Sequence, residues 1–99
     1  MLVLLLLAER ESYGYELVTR LQADGLADIS SGTVYPVLTR LEREGLVASR
    51  LVASSSGPAR KYYRPTATGT AHVADAVRGW SDLTATVRTV LDRTSQEQP

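Results

Sequence analysis

Gly45 separates two stretches whose apolar residues repeat with different periods, and few folds accept both at so short a distance. Before it, Val34, Leu38 and Leu41 fall at i, i+4 and i+7. That is the stripe of an amphipathic helix, expected over Ser31–Glu44 and capped by Ser30 or Ser31. Pro36 is tolerable there only because it lies near the helix start; deeper, it would remove a backbone hydrogen bond. Gly45 itself is the expected C′ stop. After it, Leu46–Val52 and Lys61–Arg64 read as strands, joined by the segment ASSSGPA at 53–59, whose composition suits a mobile tip.

The flanking segments are helical. Leu2–Ala8 reads as the end of a first helix and Glu9–Ser12 as a polar connector. Tyr13–Leu21 is a second helix, with Ser12 as N-cap and Tyr15, Leu17, Val18 and Leu21 on its apolar side. Asp24-Gly25 ends it, and the turn Leu26–Ile29 is expected to pin Leu26 and Ile29 to the core. Thr66 looks like the N-cap of a long final helix, since Pro65 bars an earlier start. In that helix Val73, Val77, Trp80, Thr84, Val87 and Leu91 step by 4, 3, 4, 3, 4, with Leu83 beside them. Such a heptad-like seam suits pairing with another helix. The expectation is a mainly α chain with a small β-hairpin: a winged helix-turn-helix over residues 1–66, a dimerisation helix over 67–93 and a disordered tail over 94–99.

Composition narrows the function. A chain of 99 residues supports one small domain, which gains burial by oligomerising. There is no cysteine and one histidine, His72, so thiol chemistry is excluded, no metal or other cofactor is expected, and His72 reads as a surface helix residue. Neither a glycine-rich phosphate loop nor a paired carboxylate cleft is evident, and no enzyme is expected. LVLLLLA is seven residues long, against about 20 for a membrane span, and no cationic segment precedes it. A cytoplasmic protein that leaves the membrane alone is the expectation. Net charge is zero, but its distribution is uneven. Residues 1–39 carry −3 and residues 65–99 carry −1, whereas 40–64, with Arg40, Arg43, Arg50, Arg60, Lys61 and Arg64 against Glu42 and Glu44, carry +4. Positive charge confined to one helix and hairpin is the footprint of a double-stranded DNA partner.

On that reading the helix over 31–44 offers Ser31, Thr33, Tyr35 and Arg40 to bases and phosphates, and the wing offers Arg60 and Lys61. Tyr62 and Tyr63 alternate faces, one inward and one outward. Tyr15 is expected in the core and Tyr13 toward a phosphate. Trp80 has two compatible readings: apolar packing in the seam, or a ring that flanks a pocket and stacks on a small planar aromatic ligand. A winged-helix module that binds a protein instead of DNA is the competing reading, and a membrane-surface role for LVLLLL a weaker one.

The combination of GYEL at 14–17, GTVYPVLTRLEREGLV at 32–47 and RKYYRPT at 60–66 with Gly69 resembles the PadR-like transcriptional regulators, over roughly Met1–Leu91. The resemblance implies a homodimeric winged-helix protein, usually a repressor acting at an operator and released by a small ligand or stress signal. It points to the short subgroup with one C-terminal helix, where an aromatic residue can line a cavity at the dimer interface; Trp80 stands in a matching place. Members usually carry several more residues before the segment matching LVLLLL, which help clasp the partner subunit. A late start, a truncated chain or a weaker dimer is therefore implied here. Pro65 replaces a more usual apolar residue and is expected to shorten the second wing strand.

Overall fold

The structure, a computed structural model, describes residues 1–97. In chain order it has α1 (Leu2–Glu9), β1 (Ser12–Tyr13), α2 (Gly14–Ala23), α3 (Ser31–Arg43), β2 (Val47–Ser54), β3 (Gly57–Pro65) and α4 (Ala67–Glu97). The strands form one antiparallel sheet in the order β1-β3-β2. A mainly helical chain with a small sheet and a long last helix is what the sequence predicts. The sheet has a third strand because Ser12 and Tyr13 pair with Tyr63 and Tyr62.

One core lies under α1, α2, α3 and the inner face of the sheet. Leu4 and Leu7 from α1, Leu17 and Leu21 from α2, and Val34 and Leu38 from α3 fill its centre. The α3 stripe is as expected. On α2 the buried face is Gly14, Leu17, Val18 and Leu21, so Leu17, Val18 and Leu21 are as expected, but Gly14 takes the place of Tyr15, which is 65 % exposed. Tyr15 falls off the stripe because the i, i+3, i+4, i+7 pattern starts at Gly14. Leu26 is also outside, 41 % exposed: backbone bonds from its N–H to Leu21 and from Ile29 N–H to its carbonyl shape the turn, leaving only Ile29 half-buried.

Ser12 is neither connector nor cap. It is fully buried in β1, while Tyr13 is the N-cap of α2 and makes no side-chain cap bond. The Ser12 hydroxyl meets the Arg20 guanidinium, whose side chain is only 10 % exposed. Arg20 donates to the Ser12 Oγ at 2.7 Å, the Leu6 carbonyl at 2.7 Å, the Arg10 carbonyl at 3.2 Å and Glu9 Oε2 at 3.2 Å. It therefore ties the open C-terminal end of α1 and the strand after it to α2.

The wing is longer than predicted. Both strands extend toward the tip, leaving Ser55-Ser56 as the turn, with an irregularity between Val52 and Ser54. Pro65 does not shorten β3: it ends the strand opposite Val47, where a missing N–H is tolerated. Tyr63 points into the core and Tyr62 lies half-buried on the other face, as alternation requires.

A compact joint connects the turn after α3 to the start of α4. Thr66 Oγ1 donates to the Gly45 carbonyl at 2.6 Å and accepts from Gly69 N–H at 3.0 Å, an N-cap bond. Thr66 N–H donates to the Leu46 carbonyl at 3.0 Å, and Gly69 sits so close to that carbonyl that a side chain there would overlap it. Gly45 takes φ +75°, the left-handed turn that lets the chain double back. Val73, placed by sequence in the seam, is instead buried in this chain's own core, because the joint lays the first two turns of α4 against α1 and β3. From Val77 to Gln96 every residue is exposed. Helix α4 is about 46 Å long at 1.5 Å per residue, and the molecule measures 64 × 29 × 20 Å. The helix continues to Glu97, past the expected end at Arg93; of the expected tail, residues 98–99 lie outside the described residues.

Arg20→Met keeps the aliphatic stem but removes every bond to α1 and β1. It should destabilise the domain by about 2 kcal/mol, read as a lower urea midpoint with unchanged slope; an unchanged midpoint would remove Arg20 from the structural account.

Candidate nucleic-acid interface

Helix α3 buries Val34, Leu38 and Leu41, so its opposite side is solvent-facing by geometry. Ser31, Thr33, Tyr35, Arg40 and Arg43 are all exposed there, and a shallow groove runs between Tyr35, Pro36, Val37, Thr39, Arg40 and Arg43. Ser30 is the N-cap but makes no side-chain cap bond. Pro36 stands at the sixth helical position and has no N–H, so the Gly32 carbonyl, one turn back, lacks its usual donor. The N-terminal half of α3 thus presents hydroxyls, an aromatic edge and an open backbone acceptor, and its C-terminal half presents guanidinium groups.

A second surface lies where the wing meets the start of α2. Tyr13, Gly14, Tyr35, Arg60, Lys61 and Tyr63 line a pocket of about 280 Å³. The Tyr35 ring rests on Gly14, where any side chain would collide with it. Arg60 lies over the Tyr13 ring at 4.5 Å, and Tyr13 meets Tyr62 edge-on at 5.3 Å. Of the residues singled out from sequence, Tyr13, Tyr35, Arg60 and Lys61 converge on this pocket, and Ser31, Thr33 and Arg40 lie along the adjoining helix surface. Tyr13 is half-buried, and Arg60 covers one face of its ring.

The positive segment is partly neutralised from within. Arg50 pairs with Glu11, and Lys61 Nζ donates to Glu42 Oε1 at 3.0 Å while Ser49 Oγ donates to Glu42 Oε2. The Ser49 hydroxyl first, and then Lys61, hold the Glu42 carboxyl below the usual glutamate range, and Glu42 raises Lys61. The hydrogen bond from Arg50 likewise lowers Glu11. Among the described residues, Arg40, Arg43, Arg60 and Arg64 have no carboxylate within ion-pair distance. Arg64 nevertheless helps to lower the Glu11 carboxyl, so the charge left to an external anion is that of Arg40, Arg43 and Arg60. Sequence reasoning missed Glu42, Glu11 and the Gly14–Tyr35 contact; all join residues more than six positions apart, with no local pattern to mark them.

On α4, Val77, Trp80, Leu83, Val87 and Leu91 form an exposed apolar stripe, which Val90, seven residues beyond Leu83, widens. Trp80 is 59 % exposed, and the Thr84 hydroxyl is engaged with its carbonyl at 2.8 Å.

Comparison with known proteins agrees with this geometry. A family model described as "Transcriptional regulator PadR-like family" matches residues 3–75. The chain is 38 % identical over 78 residues to a transcriptional regulator of Mycobacterium tuberculosis, covering 77 % of this chain and 69 % of the relative. A crystal structure of a PadR-like transcriptional regulator from Bacillus cereus superposes with a TM-score of 0.82 at 38 % identity, covering 90 % of this chain and 86 % of that one. A PadR family regulator from Eggerthella lenta gives 0.80 at 37 % identity, with 91 % and 80 % covered.

Two outcomes are expected. Gly14→Ala should displace the Tyr35 ring and weaken binding to duplex DNA by about tenfold, roughly 1.4 kcal/mol, in a titration of labelled duplex; full affinity would show that the ring position is immaterial. Because Glu11 and Glu42 titrate lower when folded, their bridges stabilise the fold above about pH 4.3 and are lost as pH falls through the lowered values. Acid unfolding of Glu42→Gln should therefore show a shallower pH dependence than that of the parent chain.

Proposed function

Because the chain belongs to the PadR-like family of transcriptional regulators, we propose that it is a homodimeric, ligand-responsive repressor that binds a pseudo-palindromic operator in the cytoplasm. The observation that best supports the DNA reading is the set of exposed arginines with no carboxylate within ion-pair distance among the described residues, Arg40 and Arg43 on α3 and Arg60 on the wing, where it lines one pocket with Tyr35. A helix of this exposure fits a major groove, with the hairpin beside it on the backbone. Thr33 and the Tyr35 edge are positioned for bases and Ser31 for a phosphate, while the arginines serve phosphates or guanine.

The dimer follows from α4. An isolated helix stripe of Val77, Trp80, Leu83, Val87, Val90 and Leu91 has no partner within the described chain. A second copy related by a two-fold axis would cover it with the same residues. The two Trp80 rings would then lie in the seam, where a flat aromatic compound could wedge between them, change the separation of the α3 helices and favour a spacing the operator does not match.

A duplex carrying the chain's own upstream region, titrated at several salt concentrations, tests the central reading: binding should be tight and fall steeply with salt. Binding absent even at low salt would turn the reading to a protein-interaction module. Half-site centres should lie about 10 bp apart or a multiple of it, so inserting about 5 bp should abolish tight binding. Trp80→Ala combined with Val87→Asp should shift sedimentation toward monomer. Planar aromatic compounds that leave both Trp80 emission and operator affinity unchanged would restrict Trp80 to packing.

A further inference from the structure

Arg60 and Lys61 are neighbours in sequence but not in role. Strand alternation sends them to opposite faces of the sheet. Arg60 faces outward over Tyr13 and meets no carboxylate. Lys61 lies on the inner side, its ammonium 5.4 Å from the centre of the buried Tyr63 ring and 3.0 Å from Glu42 Oε1. Glu42 stands in the last turn of α3, half-buried, with its second oxygen on Ser49 of β2. One carboxylate therefore spans both strands of the wing from the end of the recognition helix.

We propose that Glu42 is a positioning residue that fixes the wing relative to α3, and that Lys61 is its tether rather than a DNA contact. The proposal rests on the DNA-binding reading above. Drawing Lys61 onto a phosphate would leave the half-exposed Glu42 carboxylate with only a hydroxyl partner, close to a second anion, which opposes the exchange by the modest amount such a pair carries. The pair stays closed in the complex, and the wing's phosphate charge comes from Arg60. A side chain argued to touch DNA and one argued to hold the wing differ in a measurable way. Each lost phosphate contact reduces the slope of log K against log salt by about one, whereas a lost tether changes affinity without changing the count of released counterions.

The test is a salt series on the full chain with a duplex of its upstream region. Arg60→Met should lower the slope by about one per site. Lys61→Met, which keeps the stem on Tyr63, should weaken binding by a few-fold at unchanged slope. Glu42→Gln should also weaken binding, although it removes a negative charge, and should speed amide exchange in β2 and β3. The double variant should be no worse than either single one, and the exchange Glu42→Lys with Lys61→Glu should recover most of the affinity. A slope lowered by one in Lys61→Met, or tighter operator binding by Glu42→Gln, would overturn the proposal. Should Lys61→Met fail to fold, the sign of the Glu42→Gln effect decides alone. A parent chain that shows no salt-dependent binding would instead count against the DNA reading itself.

Discussion

The contact of Gly69 with the Leu46 carbonyl, closed by the Thr66 hydroxyl bonds to Gly45 and Gly69, governs the rest of the architecture. It joins the end of the helix that faces outward to the start of the helix that lacks a partner. Because the bonds are short and the glycine leaves no gap, α3 and α4 cannot swivel independently at this point. The direction in which α4 leaves the domain is thus inherited from the turn at Gly45. The same joint explains why Val73 serves the core while Val77 does not. One turn of helix carries the chain from packed to unsupported.

Charge is organised on the same principle of short links between elements. The chain is neutral as a whole, and its positive segment would appear as a uniform basic surface if judged by sequence alone. Glu11 and Glu42 divide it into two classes. Arg50 and Lys61, though exposed, are engaged by these carboxylates, and Glu11 also feels Arg64, whereas Arg40, Arg43 and Arg60 have no carboxylate within ion-pair distance among the described residues. A small number of unpaired guanidinium groups gives a local field without the solubility and specificity problems of a strongly cationic protein.

Much of the fold was legible because its determinants are local. The change of period at Gly45, the Val34–Leu38–Leu41 stripe and the Thr66 cap each lie within a few residues, and all are present in the structure. The errors come from features that neighbours cannot specify. Tyr15 and Leu17 both look like core from the sequence, and only the packing of Gly14 decides the stripe's phase. Strand β1 has two residues and exists because β3 offers it an edge. Arg20, Gly14 and Glu42 act across the fold on partners that no spacing rule connects. The site was legible as a region, through its charge and its exposed helix, but the division of labour inside it depends on which carboxylate each cation meets.

Pro36 has a consequence that side-chain chemistry does not capture. By removing the donor for the Gly32 carbonyl, it leaves a main-chain acceptor on the exposed first turns of α3, beside Thr33. Any surface docking there must bring a donor of its own or take a water as a bridge. On the DNA reading, part of what α3 offers a partner is then backbone rather than side chain, and a scan that truncates side chains one at a time passes over it.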